Sequence, residues 1–140
     1  EKNEYESAQN AFEEVVKADG RFTPALYFAG ISHLMQKHYE QSASYFERFL
    51  SLNPAHVRAR QLFATTLFQQ QRFAEIPRLL EPLVKSSVAD PQTLQLLGAS
   101  YLRMGETDKG LTLVQQAAEM APEAAAAQYQ LAGGLFMAGG

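Results

Sequence analysis

The amino-acid sequence repeats a pattern with a period of 34 residues, and this period constrains the fold more than any other feature. Residues 91–124 contain two segments with apolar residues at helical spacing, separated by Gly105. When the window is moved back by 34 residues, the same pattern appears in 57–90 and again in 23–56. Each unit is therefore predicted to contain two short amphipathic helices.

Two places of the repeat are occupied in the same way in every copy. The eighth place is always a very small residue, and the twenty-fourth is always apolar. The eighth places are Gly30, Ala64, Gly98 and Ala132, and the twenty-fourth places are Phe12, Phe46, Leu80 and Val114. Because glycine lowers helix stability, its use in a helix predicts a close approach to a neighbouring helix. We interpret these eight residues as the positions that pack the repeats.

This pattern resembles the tetratricopeptide repeat family, whose first helix carries Leu-Gly followed by Tyr. Leu97-Gly98 and Tyr101 match that part of the pattern, and Pro54 and Pro122 match its terminal proline. The resemblance implies an all-α fold, a right-handed superhelical solenoid of antiparallel helix pairs.

The chain departs from the family pattern at several places. Arg60 stands where a bulky apolar residue is usual. The places where alanine is usual hold Ser42, Ile76 and Gly110. These departures predict that the helix pairs differ from one another in detailed packing.

The repeat frame also predicts the organisation of the chain. Residues 1–22 correspond to the second-helix half of a truncated unit, 23–56, 57–90 and 91–124 to complete units, and 125–140 to the first-helix half of another. Since neither half has its partner helix, we expect one solenoid domain that is a fragment of a longer array.

Proline marks the predicted helix boundaries. Thr23-Pro24, Asn53-Pro54 and Asp90-Pro91 each combine a capping residue with a proline suited to the first helical position. Pro82 lies inside the second helix of its unit, where it removes a backbone hydrogen bond. We expect the least regular geometry there.

Composition excludes several classes of function. A net charge of −3 gives no global attraction to nucleic acid or to an anionic membrane. The absence of cysteine excludes disulfides and thiol chemistry. No apolar run reaches the roughly 18 residues that suggest a transmembrane helix, so we expect no direct membrane span in this chain.

The sequence offers no catalytic constellation. A nucleophile beside a base, or paired carboxylates, would be needed. His33, His38 and His56 lack metal-ligand spacing, and His33 falls where the repeat places a core residue. Glu13 falls on the predicted solvent face of the first helix. We therefore predict a chain that is not an enzyme and uses neither cofactor nor metal.

The first helices of such a solenoid line its concave side. Family resemblance implies that peptides or extended partner segments bind in this groove. The predicted groove residues are Tyr27, Ile31, Arg58, Gln61, Thr65, Gln69, Gln92, Gln95, Arg103 and Tyr129. Most are polar, and the arginines can form paired hydrogen bonds with carboxylates. The Lys and Asn residues with which some family members clamp a chaperone's C-terminal carboxylate are missing, so a chaperone cofactor is not expected.

Two functions of different classes follow. The first is a non-catalytic protein–protein interaction scaffold that binds an extended peptide or partner segment in the groove. The alternative is a structural assembly module that oligomerises through its open ends, with self-association through Ala125–Met137.

Two segments, FTPALYFAGISHLMQKHYEQSASYFERFLSLNPAHVRAR and LLGASYLRMGETDKG, are similar to the long repeat lipoproteins that accompany bacterial exosortase and PEP-CTERM sorting systems. That resemblance implies the bacterial cell envelope or periplasm, in connection with exopolysaccharide export, while a cytoplasmic location stays open. The expected partner is a protein segment, and a glycan is the weaker alternative.

Overall fold

The computed structural model describes residues 2–123, and the regular secondary structure within them is entirely helical. The elements are α1 (Lys2–Ala18), α2 (Thr23–Met35), α3 (Tyr39–Leu52), α4 (Val57–Gln69), a 3₁₀ turn (Phe73–Glu75), α5 (Pro77–Lys85), α6 (Pro91–Arg103) and α7 (Thr107–Met120). The predicted all-α array of helix pairs is confirmed. Two compact units make up the chain: one ends at Leu80 and the other begins at Glu81.

In the first unit, consecutive helices pack against each other from α1 to α4. Its core includes a cluster formed by Val16, Ala25, Leu26, Phe49 and Ala59. Each of α1, α3 and α4 supplies one of these residues, and α2 supplies two. On α4, the buried Ala59, Phe63 and Leu67 recur at four-residue intervals, which places one apolar stripe against the neighbouring helices. Burial of this stripe supplies the main driving force for pairing, because a single helix pair has no other way to remove its apolar face from water.

In the second unit, α6 packs along α7. The inward side of α6 carries Leu94, Leu97 and Tyr101, all buried, and α7 contributes the fully buried Ala117. The middle of this contact is narrow, since Gly98 and Gly110 lie opposite each other. A Cβ atom added to Gly98 would lie 2.9 Å from the carbonyl oxygen of Gly110.

The small residues at the eighth repeat place are buried wherever the structure describes them, and Ala132 lies outside the described residues. Gly30 approaches the ring of Phe46, and a Cβ atom there would lie 2.7 Å from Phe46 Cε1. At the twenty-fourth place, Phe46 and Leu80 are fully buried. Phe12 and Val114 are half-buried, and the ring of Phe12 stacks on that of Phe28 with centroids 5.5 Å apart.

The helix starts agree only in part with the proline signals. The carboxylate of Asp90 caps α6 as predicted, accepting a hydrogen bond from the backbone N–H of Thr93 at 2.8 Å. The predicted cap at Asn53 is wrong: α4 begins at Val57, and His56 Nδ1 accepts from Ala59 N at 3.0 Å. The predicted cap at Thr23 is also wrong, since Thr23 is already helical and no side chain caps α2.

The expected irregularity around Pro82 is confirmed. The 3₁₀ turn at Phe73–Glu75 and the prolines at 77 and 82 leave α5 with 9 residues, compared with 14 in α3 and in α7.

Among residues 2–123, no helix combines the length and apolar character needed to cross a membrane.

Candidate functional site

The predicted groove residues lie on the exposed or half-buried side of the first helices. Those that are half-buried are Tyr27, Ile31, Gln61, Thr65 and Gln95, and those that are exposed are Arg58, Gln69, Gln92 and Arg103. Tyr129 lies outside the described residues. We refer to these nine described residues, six in the first unit and three in the second, as the first-helix face, and none of them is buried.

On α4, the structure brings part of this face together. Arg58 Nη1 lies 3.4 Å from Gln61 Oε1, and Thr65 Oγ1 donates to the backbone carbonyl of Gln61 at 2.9 Å. These three residues are therefore neighbours along successive turns of one helix. The arginine keeps donors available for a carboxylate, because a guanidinium has five N–H groups.

Tyr27 has a partly structural position. Its ring lies 5.2 Å from that of Phe49 and 5.1 Å from that of His56, measured between centroids. Edge-to-face contacts with Phe28 and Phe46 complete an aromatic cluster. Tyr27 therefore contributes to packing between helices of the first unit as well as to the surface.

In the second unit, Gln92, Gln95 and Arg103 lie on α6. Gln95 lies one repeat after Gln61, and Gln92 lies one repeat after Arg58. The same repeat places therefore carry accessible polar side chains in both units. What differs is the charge, since Gln92 replaces an arginine.

The structure also shows a groove that the sequence reasoning missed. It is lined by Glu47, Leu50, Ser51, Pro54, Arg60, Phe63, Arg78 and Leu79, and we call it the arginine groove. Its volume is about 270 Å³. The floor is apolar and two guanidinium groups border it. The departure of Arg60 from the repeat pattern was the signal that could have revealed this groove.

A second groove occupies the equivalent repeat places in the second unit. It is lined by Glu81, Val84, Lys85, Leu97, Tyr101, Asp108, Lys109, Thr112 and Leu113, and we call it the apolar groove. Its volume is about 410 Å³. Leu97 stands where the first groove has Phe63, and Thr112 stands where it has Arg78. The larger volume agrees with these smaller side chains.

His33 is a core residue, as predicted, with only 3% of its surface exposed. Its Nε2 lies 2.9 Å from Glu13 Oε1, and its Nδ1 lies 3.3 Å from His38 Nδ1. The ring stacks on Tyr45 at a centroid distance of 5.4 Å. Burial raises the pKa of the Tyr45 hydroxyl, and the negative charge of Glu13 raises it further. The prediction that Glu13 lies on a solvent face is wrong, because Glu13 joins α1 to α2.

This histidine network has the character of packing, since the buried His33 bonds through both ring nitrogens to Glu13 and His38. Within the described part of the chain, no three His, Asp or Glu residues are arranged to hold a metal ion. No buried side-chain nitrogen or oxygen lacks a hydrogen-bond partner there. Among the described residues, the accessible surfaces that could take a ligand include the first-helix face and the two grooves.

Comparison with known proteins identifies the repeat. A tetratricopeptide repeat family model matches residues 29–75 and 96–139, which together exceed half of the chain. No curated protein matches the sequence significantly.

Solved structures of MamA have a similar fold. The MamA RS-1 ArsTM double mutant superposes with a TM-score of 0.79 at 25% identity, over 85% of this chain and 67% of its own. A MamA fragment from Desulfovibrio magneticus RS-1 gives a TM-score of 0.78 at 25% identity over the same shares. A further MamA crystal structure gives 0.79 at 19% identity over 86% of this chain and 71% of its own, which shows likeness of fold alone.

Proposed function

Because the chain belongs to the tetratricopeptide repeat family, we propose that it is a non-catalytic scaffold that binds an extended segment of a partner protein on its first-helix face. Family membership and the fold shared with MamA support a protein-interaction scaffold. The narrower assignment, an extended segment on this face, rests on the accessibility of its residues.

A single observation carries that assignment. Side chains at the packing places of the first helices are buried, whereas all nine described members of the first-helix face stay half-buried or exposed at repeated places. Amide and hydroxyl groups on this face can both donate and accept hydrogen bonds. An extended peptide has unpaired backbone N–H and C=O groups, so the polar side chains that each unit presents at these places suit it.

The test uses the chain as bait with protein extracts, beside an Arg58→Ala/Arg103→Ala variant. An Arg21→Ala/Lys17→Ala variant is the matched control, since it removes two exposed cations from other positions. Each captured protein is then purified, and its affinity for all three chains is measured. We expect at least tenfold weaker binding by the first variant and unchanged binding by the control. Equal affinity of all three chains would exclude the first-helix face.

Assembly through the ends is the second prediction, and it concerns Ala125–Met137, which lie outside the described residues. We propose testing it separately by sedimentation of the chain and of Leu135→Glu over a wide range of concentrations. Association that increases with concentration and is lost in Leu135→Glu would support a structural assembly module. A monomer at every concentration would exclude self-association by this route.

We further propose that the chain acts in the bacterial cell envelope or periplasm, in protein-sorting or exopolysaccharide-export machinery of the PEP-CTERM type. Support comes from the likeness of two sequence segments to lipoproteins of those systems. Fractionation of cells that express the natural protein tests the location. Recovery in the cytoplasmic fraction would exclude it, and capture of polysaccharide by the bait would favour the glycan alternative.

A further inference from the structure

The arginine groove has the features of a binding site for a negatively charged group. It lies between α3, α4 and the start of α5, in the first unit. None of its lining residues belongs to the first-helix face, so it is a separate surface of the same chain. Its volume of about 270 Å³ lies just below the range of about 300 to 1,000 Å³ typical of small-molecule pockets. A single side chain fits that space better than a drug-sized molecule.

Arg60 is held in a fixed position at this groove. Its Nε donates to the carbonyl oxygen of Pro54 at 2.7 Å, and its Nη1 donates to that of Leu79 at 3.0 Å. A longer contact of 3.4 Å joins Nη1 to the carbonyl of Arg78. These bonds occupy Nε and Nη1 of the guanidinium. In the described chain, its other terminal nitrogen, Nη2, makes no hydrogen bond to the protein, so two donors remain for a ligand.

Arg78 supplies the second positive charge. Its guanidinium carbon lies 5.7 Å from the centroid of the Phe63 ring, a cation–π arrangement that places the charge over the apolar floor. Across residues 2–123, neither Arg60 nor Arg78 makes an ion pair shorter than 4.0 Å with a carboxylate. The two guanidinium groups therefore remain able to bind an acid from outside.

Glu47 reduces the positive charge of the groove and so limits the negative charge that suits a ligand there. It lines the same groove, and it also interacts electrostatically with Arg72. Two arginines and one glutamate leave a net charge of +1 at the groove. One carboxylate neutralises this charge, whereas a doubly charged phosphate would leave an excess negative charge at the groove. Leu50, Phe63 and Leu79 offer apolar contacts to the stem that carries the carboxylate.

We propose that the arginine groove binds a carboxylate on a short apolar stem, as presented by a glutamate side chain of a partner protein. Arg78 can bind this group in a bidentate manner because the fork of a guanidinium matches the two carboxylate oxygens, while Arg60 donates through Nη2. Arg60 is pre-positioned by its backbone bonds, so little side-chain entropy is lost on binding. Arg78 adds a second, more adjustable contact.

The experiment is an NMR titration of the whole chain with N-acetylglutamate N-methylamide. The neutral probe N-acetylglutamine N-methylamide has nearly the same shape, and inorganic phosphate serves as a second comparison. We expect saturable shifts of the Phe63 and Leu79 signals with the glutamate probe, with a dissociation constant on the order of millimolar for so small a ligand. The glutamine probe should produce no such shifts.

Two arginine variants complete the test. Arg78→Gln should weaken binding of the glutamate probe about tenfold, because one charged contact is lost. Arg21→Gln, an identical change at an exposed position outside the groove, should leave it unchanged. Arg60→Leu should abolish binding, and circular dichroism checks that this variant folds. If it does not fold, Arg78→Gln carries the test alone.

Four results would overturn the proposal. They are the absence of saturable shifts, equal binding of the glutamine probe, tighter binding of phosphate than of the glutamate probe, and unchanged affinity in Arg78→Gln. Equal binding of the glutamine probe would show an apolar pocket that does not select for charge. Tighter binding of phosphate would show a general anion site.

Discussion

The helix pairs α2–α3 and α6–α7 use the same two repeat places for their close contact but fill them with different residues. The places hold Gly30 and Ser42 in the first pair, and Gly98 and Gly110 in the second. In α2–α3, the Ser42 hydroxyl donates to the carbonyl of Gly30 at 2.8 Å. In α6–α7, the two backbones approach closely, and an added Cβ at Gly110 would lie 2.6 Å from Leu102 Cγ and 2.8 Å from the carbonyl oxygen of Gly98.

This difference shows how one repeat can be built with two kinds of contact. In α2–α3, the space beside Gly30 is filled by the ring of Phe46, which is a side chain and can in principle be replaced. In α6–α7, part of the space beside Gly98 is bounded by the carbonyl oxygen of Gly110, a backbone atom that a side-chain substitution cannot remove. The eighth repeat place therefore requires a small residue in both pairs. Whether a larger residue can be tolerated there depends on whether the facing atoms belong to a side chain or to the backbone.

The largest expected effect is that of Gly98→Leu. Its side chain would have to displace the carbonyl of Gly110 and the side chain of Val114, both 2.9 Å from the added Cβ. We expect a loss of about 3 kcal/mol in the free energy of unfolding, at the upper end of typical overpacking effects. Urea denaturation measures it, with Gln115→Leu on the exposed side of α7 as the control. An unchanged midpoint for Gly98→Leu would mean that the α6–α7 register is wrong.

Gly30→Ala sharpens the comparison. The added Cβ would press on the buried ring of Phe46, and the clash should outweigh the roughly 1 kcal/mol of helix propensity gained, for a net destabilisation of about 1 kcal/mol. Because the obstacle is a side chain, Phe46→Leu should remove the penalty, so a double-mutant cycle should show coupling of at least about 1 kcal/mol.

The matching cycle uses Gly98→Ala with Val114→Ala. Truncation of Val114 leaves the Gly110 carbonyl in place, so most of the penalty of Gly98→Ala should persist. A cycle in α6–α7 with coupling as large as that in α2–α3 would show that backbone does not limit the second contact.

The regular part of the fold could be predicted from the sequence because the pattern of each helix occurs in several copies of the repeat. Two helices are predicted in each of the units 23–56 and 91–124, and the structure has α2 and α3 in the first and α6 and α7 in the second. The cap at Asp90 and the shortening of α5 near Pro82 follow from rules that involve only neighbouring residues. These features depend on local chemistry and on periodicity, and both are visible in one sequence.

The remaining features depend on long side chains that reach partners distant in the chain. Glu13 bonds to His33 across 20 positions, and Arg60 reaches the carbonyl of Leu79 across 19. Periodicity indicates the side of the helix from which a side chain projects. It does not indicate the position that the end of a long, flexible side chain reaches. For this reason the first-helix face could be proposed from the repeat, whereas the arginine groove required coordinates.

Ser42→Ala has the smallest expected effect and tests the polar half of the α2–α3 contact. Alanine is usual at this place in the family, yet here the fully buried hydroxyl bonds to the Gly30 carbonyl. Loss of one such bond costs about 1 kcal/mol, and the higher helix propensity of alanine returns about half of that. We expect thermal and urea denaturation to show a net loss of roughly 0.5 kcal/mol, and no loss for Ser44→Ala at an exposed place on α3. If Ser42→Ala were more stable than the natural chain, the hydroxyl would not contribute to helix pairing, and both pairs would rely on close packing alone.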